Sequence, residues 1–215
     1  NQVQAAPVKL SQQHLETGTA QVIVVNSGNA NACTGEQGWQ DAEKMVETTA
    51  EKLDLKAEEV IVASTGIIGE QLPIERVTAG ISQAASDLDS SGSPRAARAI
   101  MTTDTYPKEF AIEFNVQGTP VRLGGIAKGS GMIEPNMATM LSFLTTDAAI
   151  EAELLQEALR EAVDYSFNKI TVDGDQSTND TVAILANGEA GNQKITAQSP
   201  EYEQFLGALE YLTRK

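Results

Sequence analysis

The chain has 215 residues, and 41% of them are hydrophobic, which is enough for a packed globular core. Its 30 acidic residues outnumber the 15 basic ones, and the net charge of −15 argues against nucleic acid or an anionic membrane surface as a partner. The sequence contains no apolar run that approaches the roughly 18 residues of a membrane-spanning helix. Its one cysteine cannot form an internal disulfide, so a reducing cytoplasm is the expected location.

Few residues in the sequence are suited to bind a metal ion. His14 is the one histidine, and the acidic residues do not follow a calcium-binding spacing, so we expect no metal. Cys33 has no histidine nearby to activate it, and we expect it to be a small buried residue rather than a nucleophile. Asn1 is not an initiator methionine and no helix breaker precedes Lys215, so the sequence is expected to be truncated at both ends.

Two short buried strands are predicted in the first third of the chain, and each runs into a segment of small polar residues. The β-branched segment 21–25 precedes the Asn- and Gly-rich segment 26–35, and segment 60–63 precedes segment 64–69. A helix over 41–53, with an aspartate at its start, is predicted between them. Because the order of residue types is the same in both segments, the two strand ends are expected to converge on one site. Each segment could instead be an ordinary turn.

The Thr65-Gly66 pair is the first candidate for a catalytic role. In a turn after a strand, a backbone N–H and a threonine hydroxyl can both be aimed at a developing oxyanion. Residues 102–105, with the sequence Thr-Thr-Asp-Thr, offer further hydroxyls to a polar ligand. Capping and turn hydrogen bonds are the commoner use of such hydroxyls, so both interpretations stay open.

The remaining predicted elements alternate between helices and strands. They are a helix at 74–88, a hairpin with strands at 110–116 and 120–126, a strand at 140–144, a helix at 150–163, strands at 168–172 and 180–186 around an acidic loop, and a helix at 201–215. This alternation predicts an α/β or α+β domain built in layers.

The hairpin leads into the most unusual part of the sequence, residues 124–141, where four glycines surround Lys128. A surface loop that feeds a strand would explain the glycines, but it explains less well why Ala138-Thr139 leads into an apolar run. If the Ala138–Thr139 bond is strained, the Thr139 hydroxyl can attack the preceding carbonyl, and hydrolysis of the ester leaves Thr139 as a new N-terminus. Its α-amine, with an ordinary pKa of about 8, can then serve as general base for the neighbouring hydroxyl.

Four segments closely resemble the ornithine acetyltransferase (glutamate N-acetyltransferase) family of arginine biosynthesis. They are residues 24–35, 64–69, 101–105, and 127–133 with 138–141. The resemblance covers nearly the whole chain in order. It implies a layered α/β/β/α sandwich similar to N-terminal nucleophile hydrolases, and self-cleavage into an α-chain portion, residues 1–138, and the start of a β chain, residues 139–215. It also implies an α2β2 heterotetramer.

The resemblance further implies ping-pong transfer of acetyl from N-acetylornithine to glutamate through an acetyl-Thr139 intermediate. Thr65 and Gly66 match the family's oxyanion-stabilising pair, and Thr102, Lys128 and Thr139 match its substrate-binding positions. No cofactor is expected, although acetyl-CoA is a co-substrate of the family's bifunctional members. Members of the family are much longer, and their further substrate ligands are expected beyond the last residue of this sequence.

Two other functions fit the residues. The first is an aminopeptidase or amidase of the same self-cleaving architecture, in which water replaces glutamate as the acyl acceptor. The second is a non-catalytic metabolite-binding domain, in which the glycine-rich segment binds an anion and Thr139 is an ordinary strand residue.

Overall fold

The computed structural model describes residues 3–131, 140–170, 173, 176–197 and 199–215. Its α-helices span Ala6–His14 (α1), Gly35–Leu53 (α2), Ile74–Ser86 (α3), Ser93–Ala99 (α4), Ala152–Tyr165 (α5) and Pro200–Thr213 (α6). Its strands span Val22–Asn29 (β1), Val60–Ile67 (β2), Lys108–Val116 (β3), Thr119–Lys128 (β4), Leu141–Thr146 (β5) and Thr181–Ala186 (β6). Short 3-10 helices lie at Leu15–Thr17, Ala57–Glu59 and Phe167–Lys169. Within the described ranges, every helix is too short or too polar to cross a membrane.

The strands form two sheets. β1 and β2 are parallel neighbours in one sheet, and the other has the order β3-β4-β5-β6. In that second sheet, β4 is antiparallel to both β3 and β5, whereas β6 runs parallel to β5. Gln117 and Gly118 connect β3 to β4 with φ angles of 49° and 88°. Two consecutive positive φ angles are typical of the tightest hairpin turns, and they confirm the predicted hairpin.

The alternation of side chains along β2 places this strand between two hydrophobic layers. Val60 and Val62 belong to a buried cluster with Met45 of α2. Ile61, which lies between them, belongs to a different buried cluster with Phe143 of β5. One face of the first sheet is therefore covered by helices, and its other face packs against the second sheet.

The far face of the second sheet is covered by α5 and α6. Val121 and Leu123 of β4 share a buried cluster with Leu155 of α5 and with Phe205 and Leu209 of α6. The order of layers is therefore helix, sheet, sheet, helix, which confirms the predicted α/β/β/α arrangement.

The predicted turn after segment 60–63 is wrong. β2 continues to Ile67, so Thr65 and Gly66 lie at the end of a strand. Their hydrogen-bonding partner is β1, which also extends beyond its predicted end, to Asn29. Threonine favours strands but glycine does not, and pairing with the neighbouring strand overrides the low strand propensity of Gly66.

Helix α2 begins at Gly35, six residues before the predicted start. Asp41 therefore lies inside the helix, where it is buried and accepts a hydrogen bond of 3.0 Å from Gln37 Nε2. The first turns of the helix have room only for glycine at position 38, because a Cβ there would lie 1.9 Å from Thr34 Oγ1. The carbonyl of Gly38 accepts a hydrogen bond of 2.7 Å from Asn31 Nδ2.

Helices α1 and α4 were not predicted from the sequence. α1 is attached to the first sheet by Ser11, whose hydroxyl donates to Val62 O at 2.7 Å and accepts from Val62 N at 2.8 Å. α4 begins at Ser93, and Pro94 occupies its first turn, where proline is well tolerated.

Two further predictions about local structure are wrong. Asn168 and Lys169 lie in a 3-10 helix rather than in a strand, and residues 171 and 172 of that predicted strand lie outside the described residues. Cys33 is exposed rather than buried, and it has a left-handed φ of 57°. Its neighbours Ala32 and Thr34 are the buried residues of this segment.

We expect Phe205→Ala to lower the free energy of unfolding by about 3 to 5 kcal/mol, because it leaves a cavity in a closed core. Phe205 is fully buried, and its ring centroid lies 6.1 Å from that of Phe114 in an edge-to-face arrangement. Urea unfolding measures the change. Gln204→Ala, at the exposed neighbouring position, should change stability by no more than about 0.5 kcal/mol. Equal midpoints for the two variants would contradict this assignment of the core.

Candidate active site

The ends of β1 and β2 form one wall of the site, as the sequence predicts. Ser27 lies opposite Thr65 in the parallel pair, and Gly28 lies opposite Gly66. Gly66 has a φ of 137°, and a Cβ there would lie only 2.2 Å from the carbonyl carbon of Gly28. Both the backbone angle and the close approach of the two chains therefore require glycine at this position.

Asn179 joins these strand ends to the loop before β6. Its side-chain Nδ2 donates to Ala30 O at 2.6 Å and to Ser64 O at 2.9 Å, and the residue is only 2% exposed. Asn179 is far away in the sequence from both partners, so its contacts could not be predicted from local patterns. The one available signal was its place in the acidic loop 173–179.

Lys128 lies at the end of β4, and its side chain points toward the end of β2. Its residue is 2% exposed, and its Nζ donates to Thr102 Oγ1 at 2.9 Å and to Thr65 Oγ1 at 3.2 Å. The structure therefore brings together three side chains predicted for the site, from the end of β2, the loop after α4 and the end of β4. Gly66 lies beside them as the residue after Thr65.

The pKa of Lys128 reflects its burial and three neighbouring charges. Burial lowers this pKa because it removes water from the ammonium, and the positive charge of Lys108 lowers it further. The negative charges of Asp104 and Asp180 act in the opposite direction, and the net effect is a lowered pKa.

Asp104 occupies the middle of the threonine-rich loop, and its side chain is fully buried. Its Oδ1 accepts hydrogen bonds from Lys108 Nζ at 2.6 Å and from the backbone N–H of Gly129 at 2.8 Å. Burial alone would raise the pKa of this carboxyl group. The hydrogen bonds from Lys108 and Gly129 outweigh that effect, and the pKa is lowered.

These side chains line a cavity of about 610 Å³. Its wall includes Thr65, Gly66, Thr102, Lys128 and Asn179. Cavities of this size are typical of sites for small molecules. Among the described residues, no group of three or more histidine, cysteine, aspartate or glutamate side chains is arranged to hold a metal ion.

The predicted cleavage site, Ala138 and Thr139, lies outside the described residues, so its role stays a prediction. Met140, the residue that follows, is held on both sides of its backbone. Its N–H donates to Asp180 Oδ1 at 3.0 Å, and its carbonyl accepts from Thr181 N at 3.0 Å. The start of β5 is thereby tied to β6.

Comparison with known proteins gives a consistent result. The model of the ArgJ family matches residues 1–215. The chain belongs to the ArgJ family. An arginine biosynthesis bifunctional protein ArgJ from Symbiobacterium thermophilum is 58% identical over 209 residues, which is 97% of this chain and 52% of the relative. A protein of the same name from Caldanaerobacter subterraneus subsp. tengcongensis is 51% identical over 214 residues, which is 100% of this chain and 53% of the relative. The chain thus spans about half the length of the curated relatives it matches.

Solved structures of ArgJ proteins also resemble the chain. The arginine biosynthesis bifunctional protein from Bacillus halodurans has a TM-score of 0.60 and 46% identity, over 64% of this chain and 73% of the other. The ornithine acetyltransferase from Mycobacterium tuberculosis, solved in complex with ornithine, has a TM-score of 0.56 and 39% identity, over 63% of this chain and 72% of the other.

We expect Gly66→Ala to destabilise the protein by about 1 to 3 kcal/mol, because it forces a side chain into a positive φ and against the backbone of Gly28. Thermal unfolding of the full-length protein measures the loss. Gly80→Ala is the matched control, since Gly80 lies inside α3 with open space where a Cβ would lie. That substitution should be neutral or stabilising by up to about 1 kcal/mol. Equal losses in both variants would show that the strand contact does not require glycine.

In the wild type, Lys128 should make the free energy of unfolding increase with pH, and we expect Lys128→Met to remove this contribution. Because the pKa of Lys128 is lowered in the folded state, the unfolded state binds more protons between that pKa and the ordinary value of about 10.4. The free energy of unfolding therefore gains a contribution from Lys128 as the pH rises through this window. Urea midpoints of wild type and variant, measured from neutral pH to about pH 10, give the difference. A difference that does not change with pH would contradict the lowered pKa.

Proposed function

We propose that the protein is an acetyltransferase of arginine biosynthesis that transfers acetyl from N-acetylornithine to glutamate after self-cleavage between Ala138 and Thr139. The observation that carries this proposal is the buried Lys128 ammonium, held between the hydroxyls of Thr65 and Thr102 in the wall of a cavity. The names of the relatives and the ornithine complex of the M. tuberculosis protein support it.

In the first half-reaction, the neutral α-amine of Thr139 accepts the proton of the Thr139 hydroxyl while the oxygen attacks the acetyl carbonyl of N-acetylornithine. The negative oxygen of the tetrahedral intermediate is stabilised by the Thr65 hydroxyl and the Gly66 backbone amide. The C–N bond then breaks and the proton passes to the leaving amine. Ornithine departs and leaves an acetyl ester on Thr139.

In the second half-reaction, the neutral amine of glutamate attacks the ester carbonyl. A second oxyanion forms against Thr65 and Gly66, and its collapse expels the Thr139 oxygen, which recovers a proton from the new amide nitrogen. N-acetylglutamate leaves, and Thr139 returns to its starting state. Hydrolysis of the ester competes with this step, so a site poor in water favours transfer.

Lys128 binds the substrate carboxylate in both half-reactions. N-acetylornithine and glutamate each carry an α-carboxylate, so a single buried cation can orient both in turn. Its attraction to a carboxylate is stronger in the buried site than in water because the effective dielectric constant is lower. The hydroxyls of Thr65 and Thr102 fix the ammonium group before the substrate arrives.

Cleavage would divide the sequence into residues 1–138 of an α chain and residues 139–215 of a β chain. β4 and β5 lie on opposite sides of the proposed cut and pair from Leu123 opposite Thr146 to Lys128 opposite Leu141. The two chains would therefore stay joined in one sheet, within the α2β2 heterotetramer that we propose. Acetyl-CoA is a further acetyl donor in this proposal, and the cytoplasm is the proposed location.

We expect full-length wild-type protein to appear as two fragments in denaturing mass spectrometry, whereas Thr139→Ala stays whole because it lacks the attacking hydroxyl. The wild type should release ornithine from N-acetylornithine and form N-acetylglutamate when glutamate is present. Thr65→Ala should lower kcat about 100-fold or more, because it removes an oxyanion donor. Thr119→Ala, in the hairpin at the other end of β4, is the control and should leave both activities unchanged.

Each alternative function predicts a different result in the same experiments. Ornithine release at a rate independent of glutamate, without N-acetylglutamate, would indicate the amidase. Whole wild-type protein that binds metabolites without turnover would indicate the binding domain. Cleavage that persists in Thr139→Ala would refute Thr139 as the nucleophile.

A further inference from the structure

Asp104 is the one fully buried carboxylate among the polar side chains described at this site, and the catalytic steps above leave it without a role. Its side chain is 0% exposed, although it lies in the loop between α4 and β3. A buried carboxylate is unfavourable unless charged or polar partners compensate for the lost water. Lys108 and the N–H of Gly129 supply that compensation at 2.6 Å and 2.8 Å.

The contacts of Asp104 lie on both sides of the proposed carboxylate-binding site. Gly129 directly follows Lys128, so the hydrogen bond from its N–H fixes the backbone that carries the lysine. Thr102, whose hydroxyl accepts from Lys128, is two residues before Asp104, and its N–H lies 3.4 Å from Asp104 Oδ2. One carboxylate thus connects the strand that carries the ammonium to the loop that carries its hydroxyl partner.

We propose that Asp104 is a positioning residue, which orients the Lys128 ammonium between the hydroxyls of Thr65 and Thr102 so that it can receive the substrate carboxylate. This inference rests on the proposed function, because it assumes that Lys128 binds that carboxylate. Asp104 itself does not touch the substrate in this proposal.

The charges around Lys128 allow this role to be tested, because Asp104 and Lys108 should change the pKa of Lys128 in opposite directions. Asp104 and Asp180 favour the protonated lysine, whereas burial and the positive charge of Lys108 disfavour it. Asp173, whose carboxylate lies beside Gly131 farther along the loop, is a further acidic group near the cavity. Loss of the Asp104 charge should therefore lower the pKa of Lys128, and loss of the Lys108 charge should raise it.

The test compares Asp104→Asn with Lys108→Met in the full-length protein. Asp104→Asn keeps an oxygen that can accept from Gly129 but removes the charge, and it should raise KM for N-acetylornithine and for glutamate about tenfold with a smaller change in kcat. The alkaline limb of the kcat/KM profile should move to lower pH in Asp104→Asn and to higher pH in Lys108→Met. Lys52→Met, at an exposed helical position, is the control and should leave the profile in place.

A second measurement does not depend on turnover. Carbon-13 NMR of lysine-labelled protein follows the titration of Lys128, whose signal is identified by its absence in Lys128→Met. The Lys128 pKa measured by NMR should fall in Asp104→Asn and rise in Lys108→Met. Shifts in the same direction, or none, would overturn the role of Asp104 even if acetyl transfer is confirmed. Opposite NMR shifts in a protein without transfer activity would refute the proposed function and leave the positioning of Lys128 intact.

Discussion

The burial of the Lys128 ammonium is the constraint on which the rest of the site depends. An ammonium group that is almost removed from water needs fixed polar partners, and no single element of the described fold supplies them all. Thr65 comes from the first sheet and Thr102 from the loop after α4, so both must be in place when β4 presents the lysine. The site is therefore a product of the packing of the two sheets.

The first sheet meets this requirement through an unusually close contact between strand ends. Gly66 faces Gly28 so closely that a Cβ on Gly66 would clash with the Gly28 backbone, and Asn179, from the second half of the chain, donates to the carbonyls of Ala30 and Ser64. Thr65 lies between these two restraints. The backbone that carries its hydroxyl is thereby held in place on both sides.

The elements predicted best from the sequence are those with a strong local pattern. The hairpin around Gln117-Gly118 and the amphipathic helix α5 were predicted because their turn residues and apolar spacing lie within one segment. The failures involve contacts that the apolar spacing does not show. Helix α1 is attached to β2 through Ser11 and Val62, which lie far apart in the sequence, and the early start of α2 involves contacts of Gly38 with Thr34 and Asn31. The sequence alone does not show which of these residues lie close together in the fold.

The same distinction applies to the site. Thr65, Thr102 and Lys128 were identified through a family resemblance, and the structure brings them together, whereas local patterns left each of them open to an ordinary structural role. Asp104 stood among threonines that predict a turn as readily as a ligand. Its importance follows from burial and from the hydrogen bond to Gly129, and neither can be read from composition or periodicity.

The pairing of β4 with β5 has a consequence for how a cleaved protein would behave after unfolding. While the connection between these strands is intact, they meet as parts of one chain, and the pairing residues are close in sequence. Once the connection is cut, the same ladder forms only when two separate molecules collide, so refolding becomes dependent on concentration. Because unfolded, separated chains would seldom meet at low concentration, the rate of unfolding rather than the equilibrium stability would limit how long the cleaved form works.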